Sequence, residues 1–113
     1  FDGNLDAMRK VITTRAYTDD EVRGAIAELY KKYGYVADPH SAIGYLGALR
    51  ARREPGAHRA LFLATAHPAK FREVVEPAIG KPVPLPEALA ETLARKKDVH
   101  RIGPSLGELW KLL

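Results

Sequence analysis

The sequence predicts an α/β chain, mostly helical, with one or two buried strands, and three observations predict it. Two stretches with helical spacing open on capping residues, Thr18 and Asp38. Ala60-Leu61-Phe62-Leu63-Ala64 is a short, all-apolar run bounded by turn signals, the pattern of a strand buried on both faces. Helical patterns flank that run, which is the order of elements in a parallel sheet. One or two strands cannot build a sheet covered on both faces, so the strand's partners are expected outside these 113 residues. Residues 1–113 then form one segment of a larger domain, with no internal boundary, repeat or low-complexity tract.

Each element has a local cause. Residues 6–12 fit a short helix and residues 13–17 an extended link. Thr18-Asp19-Asp20-Glu21 is a capping-box pattern, a hydroxyl for the first turn and a Glu three residues on. Val22, Ile26, Leu29, Tyr30 and Tyr33 follow as one apolar stripe, and Gly34 sits where a helix closes left-handed. After a short extended Tyr35-Val36-Ala37, Asp38-Pro39 reads as a cap with proline at the first helical position. The helix from there to residue 53 is rich in small residues, including Gly44 and Gly47, each costing on the order of 1 kcal/mol against alanine. Such residues belong where a helix lies close against other backbone or a ligand. Pro68 opens a helix bearing Phe71, Val74 and Val75, which Pro77 and Gly80 are expected to break. Pro82, Pro84 and Pro86 make a stiff link to a helix with Leu89 and Leu93 inward. Ser105 to Glu108 is a second capping box, opening a terminal helix with Leu109, Trp110 and Leu113.

Composition removes several classes. Without cysteine there is no disulfide framework, thiolate metal site or cysteine nucleophile. No apolar run approaches the roughly 20 residues that span a bilayer. The opening FDGNLDAMRK lacks the apolar core of a secretion signal, so a cytoplasmic setting and no membrane are expected. The net charge of +4 arises after residue 37, from clusters at Arg50, Arg52, Arg53 and Arg59 and at Arg95, Lys96, Lys97 and Arg101. Both clusters fall at predicted helix ends and hold no interleaved aromatics, so they read as solvated ends and no nucleic-acid partner is expected.

In open α/β sheets ligands gather beyond the carboxyl ends of strands, and Thr65-Ala66-His67-Pro68 lies there, between strand and helix. Thr65 can donate or accept a hydrogen bond; the competing reading has Thr65 and His67 as local caps only. His40 and His67 each adjoin a candidate ligand turn, while His58 and His100 lie among charges and read as exposed. The four histidines are too scattered for a metal site. A Ser41–His40 nucleophile–base pair fails on geometry, since adjacent helical residues point about a hundred degrees apart. Lys70 reads as solvated on a charged helix, and no glycine-rich phosphate loop is present.

YGYVADPHSAIGY at Tyr33–Tyr45, then ATAHPAKF at Ala64–Phe71 and KPVPLPEAL at Lys81–Leu89, resemble the C-terminal part of threonine synthase. The likeness runs over residues 17–113 and only loosely over 1–16. It implies a C-terminal segment of the catalytic domain of a pyridoxal-phosphate-dependent lyase of the tryptophan-synthase-β structural family, a parallel-sheet fold. Such an enzyme converts O-phosphohomoserine and water into L-threonine and phosphate, in threonine biosynthesis. The resemblance also implies that Thr65 hydrogen-bonds the pyridine nitrogen of the cofactor, with Asp38, His40, Ser41 and His67 as weaker candidates for lining that site. The family's cofactor-binding lysine and phosphate-cradling loop belong to earlier chain, so no catalytic residue is expected here, the rest of the chain is the expected partner, and the segment alone should be inactive. The alternative is a free-standing helical interaction module without catalysis, for which Leu61 and Leu63 would need cover in these residues or in a dimer.

Overall fold

A computed structural model describes residues 1–56 and 59–112. Its helices are α1 (Leu5–Arg9), α2 (Asp19–Tyr33), α3 (Pro39–Ala51), α4 (Arg72–Ile79), α5 (Glu87–Ala94) and α6 (Leu106–Trp110), with a 3-10 turn at Pro68–Phe71 leading into α4. The core is a three-helix cluster in which α2 packs on both α3 and α4. Ile26 of α2, Ala42 of α3 and Val75 of α4 are wholly buried there, joined by Val22, Ala25, Leu29 and Tyr45. Around this cluster the chain is splayed. Its radius of gyration is 19.0 Å, against about 13 Å for a compact chain of this length. α1, α5 and α6 bury no residue fully.

The caps at Thr18 and Gly34 form as the sequence predicts. Thr18 Oγ1 accepts the Glu21 N–H at 3.3 Å, and Glu21 Oε2 accepts the Thr18 N–H at 2.7 Å, the complete reciprocal box. Gly34 closes α2 with φ of 65°, a conformation glycine adopts without a Cβ penalty. Across the core, the Tyr45 hydroxyl donates to Glu28 Oε1 at 3.2 Å, tying α3 to α2. At Ser105 only half of the box forms: the hydroxyl accepts the Glu108 N–H, but the Glu108 carboxylate pairs with Lys111 instead.

Several expectations need correction. Residues 60–64 are extended without strand pairing, and no strand occurs among the described residues. Leu61 and Leu63 are 86% and 73% exposed rather than buried. Only Phe62, half-buried, faces the core, its ring meeting Tyr45 edge-on at 6.2 Å. The cause is the one that apolar pattern implies: a strand needs a ladder partner, and these residues supply none. Pro77 does not break α4, which runs through it to Ile79 and ends on Gly80 at φ of 68°; in the last turn a missing N–H costs one hydrogen bond only. α3 stops at Ala51, short of residue 53. Of the α5 pair, Leu89 packs on the core while Leu93 is exposed, as Tyr33 is on α2. Leu113 and His58 lie outside the described residues.

The glycines of α3 divide in two. A Cβ at Gly44 would sit 3.2 Å from the Phe62 Cβ, whereas one at Gly47 would meet nothing within 4 Å. Gly47→Ala should therefore stabilise the helix by about 0.5–1 kcal/mol. Gly44→Ala should lose that gain by pushing Phe62 off α3. Paired thermal melts would check this, and equal shifts for the two variants would contradict it.

Candidate functional site

Two turns meet at the N-terminal end of α3. At the first, Asp38 is extended (φ −78°, ψ 164°), so its carboxylate swings under the opening turn. Asp38 Oδ1 accepts the N–H of His40 at 2.9 Å and of Ser41 at 3.4 Å. Ser41 Oγ, fully buried, donates to Asp38 Oδ2. The proline at position 39 has no N–H to satisfy, so the cap leaves no donor stranded there. Burial alone would raise the Asp38 carboxyl. The hydrogen bonds from the Ser41 hydroxyl, the His40 N–H and ring, and the Ser41 N–H outweigh it and hold the group below the ordinary carboxylate value.

His40 Nδ1 lies 3.1 Å from Asp38 Oδ1. A carboxylate only accepts, so Nδ1 carries the proton and Nε2 of the neutral ring is an acceptor. The ring is 59% exposed and meets Phe71 edge-on, centroids 5.2 Å apart. Phe71 ends the second turn, so this contact joins the two quoted motifs in space.

The second turn runs from Thr65 to Phe71. His67 caps it: Nδ1 accepts the Ala69 N–H at 3.1 Å. That bond requires a bare Nδ1, so in the neutral ring Nε2 carries the proton. The two histidines thus present opposite faces, an acceptor at His40 and a donor at His67. Thr65 stands exposed at the end of the extended segment, two residues before that cap. Lys70 is also exposed.

The structure therefore sorts the predicted residues. Asp38, His40 and Ser41 come together with Phe71, but the Asp38 carboxylate and the Ser41 hydroxyl are spent on each other and on the helix cap. Thr65 and the Nε2 atoms of His40 and His67 are the polar groups left for a ligand. Phe71 was missed as a site residue by sequence reasoning, although it closes the ATAHPAKF string. Among the described residues no group of three or more His, Asp or Glu could hold a metal ion, and no helix is long and apolar enough to cross a membrane.

Residues 41–111 match the family model described as threonine synthase, C-terminal. The chain belongs to the threonine synthase family. It is 43% identical over 98 residues to the threonine synthase of Serratia marcescens, covering 87% of this chain and 22% of that protein. It is 40% identical over 98 residues to that of Escherichia coli K12, with the same coverage. Among solved structures, the Escherichia coli threonine synthase aligns with a TM-score of 0.74 at 35% identity, over 93% of this chain and 25% of that one. A pyridoxal-phosphate-bound threonine synthase from Brucella melitensis aligns with a TM-score of 0.69 at 39% identity, over 82% of this chain and 20% of that one. The chain thus spans about a fifth to a quarter of the threonine synthases it matches, and its splayed helical fold is that of part of those enzymes.

Proposed function

We propose that this chain serves as the C-terminal wall of a cytoplasmic threonine synthase that uses pyridoxal phosphate to convert O-phosphohomoserine and water into L-threonine and phosphate. The observation that carries this reading is the family match over residues 41–111, which takes in the Thr65–Phe71 turn. The residues present fit the cofactor's ring. Thr65 offers a neutral hydroxyl, exposed and beyond an extended segment, and the carboxylate of Asp38 is already engaged by His40 and Ser41. Bound pyridoxal phosphate supplies an electron sink for carbanion chemistry. Thr65 would hold its ring nitrogen by a hydrogen bond from a group that keeps no charge there, and so would leave that nitrogen without a full proton. The His67 cap would fix the backbone two residues beyond Thr65, and Phe71 with His40 would brace the turn against α3.

The exposed leucines support the same reading. Leu61 and Leu63 alternate with the inward Phe62, the period-two pattern of a strand with one face already packed. In the complete enzyme this segment would pair into a parallel sheet carried by the rest of the chain, burying both leucines and presenting Thr65 at the strand's carboxyl end.

The experiment is phosphate release from O-phosphohomoserine by the complete gene product, with and without pyridoxal phosphate. Release that depends on the cofactor is expected. Thr65→Ala should lower turnover at least tenfold and shift the cofactor's absorbance, while Thr65→Ser retains most of both. Unchanged turnover and spectrum in Thr65→Ala would remove Thr65 from the site, and no release by the parent would remove the reaction itself.

A further inference from the structure

The 13–17 link, α3 from Ile43 onward and Glu54 just beyond it line an open cleft of about 620 Å³ that takes in no residue of the Thr65 turn, within the 300–1,000 Å³ usual for small-molecule sites. On α3 it is lined from Ile43 to Ala51, so its Arg50 end lies on the order of 16 Å along the helix from Pro39, at 1.5 Å per residue. We propose that this cleft binds a free α-amino acid.

The argument is the chemistry of the lining. Arg15 from the link and Arg50 from α3 put two arginines on one cleft. No ion pair among the described residues engages either of them. Guanidinium is the side chain whose fixed fork of donors matches a carboxylate. Glu54 lines the same cleft, also outside every ion pair among the described residues. A carboxylate there opposes a dianion such as a phosphate ester and accepts an ammonium group. Two cations and one anion around one space are complementary to a zwitterion with its own carboxylate and ammonium. The floor is apolar: Ile43 is partly exposed beside Gly47, where a β-carbon would stand in open space. That gap accommodates an aliphatic side chain.

Tyr17 lines the same cleft, while its hydroxyl is buried away from the open space. Tyr17 also packs on the core beside α3, so a ligand here would hold the link against the helix. The site would act on the protein through that segment, not through the Thr65 turn.

The test uses the complete gene product loaded with pyridoxal phosphate. The L-amino acids are screened singly by thermal shift, and the strongest is measured by calorimetric titration. Saturable binding of at least one aliphatic amino acid is expected, without change in the cofactor's absorbance. Arg50→Gln and Glu54→Gln should each weaken it at least tenfold, and the deaminated acid of the same carbon skeleton should bind at least tenfold more weakly than the amino acid. Gly47→Leu should abolish binding by filling the cleft while melting no lower than the parent, since leucine is the better helix former and its β-carbon meets no neighbour. Absence of binding by any amino acid would overturn the proposal. So would binding that survives both Arg50→Gln and Gly47→Leu, or equal affinity for the deaminated acid.

Discussion

Replacing Asp38 by alanine should destabilise the opening of α3 by about 3 kcal/mol, the largest effect expected of any polar substitution in the chain. Two losses add. The helix cap itself is worth about 0.5–2 kcal/mol, and the buried Ser41 hydroxyl, left without its acceptor, costs about 1–3 kcal/mol more. Hydrogen exchange at His40 and Ser41, whose N–H groups the carboxylate holds, should accelerate roughly a hundredfold. Asp38→Asn should recover part of the loss, because an amide oxygen still accepts from the backbone. The same residue sets a pH dependence. Its carboxyl is depressed in the folded chain, so the folded state binds the proton more weakly than the unfolded one. The stabilisation is then complete above the unfolded value of about 4 and falls away as the pH drops from there through the depressed value. Ser41→Ala should shrink that acid-side loss. An acid limb identical in parent and Ser41→Ala would show that the hydroxyl does not hold the carboxylate.

Ile26→Ala should cost about 3 kcal/mol, within the range of about 2–5 kcal/mol typical of emptied core sites. Ile26 is 0% exposed and sits on the helix that packs against both α3 and α4, so its removal leaves a void that neither neighbour can fill without leaving the other. Ile26→Val, one methylene smaller, should cost about 1 kcal/mol. Urea unfolding read by circular dichroism would give both numbers. Similar midpoints for the two variants would mean that the cluster repacks freely and is not the organising core.

The parts of the fold legible in sequence are those decided by local chemistry. The Thr18–Glu21 box, the Asp38-Pro39 cap and the left-handed Gly34 are each fixed by a few consecutive residues, and each formed where the pattern put it. The small-residue pattern marked Gly44 and Gly47 alike for close approach to backbone or a ligand; only Gly44 has a close neighbour, and it is the Phe62 side chain. What local pattern misjudged were features set by distant chain. Leu61 and Leu63 carry the pattern of a buried strand, but burial is a property of what covers them, and nothing among the described residues does. Ser105–Glu108 shows a competition invisible to the motif, since Lys111 one turn on takes the carboxylate the box would need. For the candidate site, sequence named the two turns and five residues in them, Asp38, His40, Ser41, Thr65 and His67. It could not tell that Ser41 and Asp38 satisfy each other, nor that Phe71 joins the turns through His40, because both facts depend on side-chain direction in three dimensions.

The Glu76 carboxylate, on α4, accepts from Arg72 Nε at 2.6 Å and from the Val83 N–H at 2.9 Å. Val83 is buried between Pro82 and Pro84, and Lys81 lies over the Tyr30 ring, 5.5 Å from its centroid. The base of the proline link is thereby pinned to two helices, and the link itself is stiff, with a reach of about 3 Å per residue in an extended polyproline conformation. The start of α5, which follows the link directly, is therefore set in direction, and the exposed Leu106 and Trp110 lie further along the chain. A link that leaves α4 in one direction holds the start of α5 at high effective concentration near the surface it faces. In this arrangement Glu76 acts as a wrist: it sets the direction in which the proline link leaves α4.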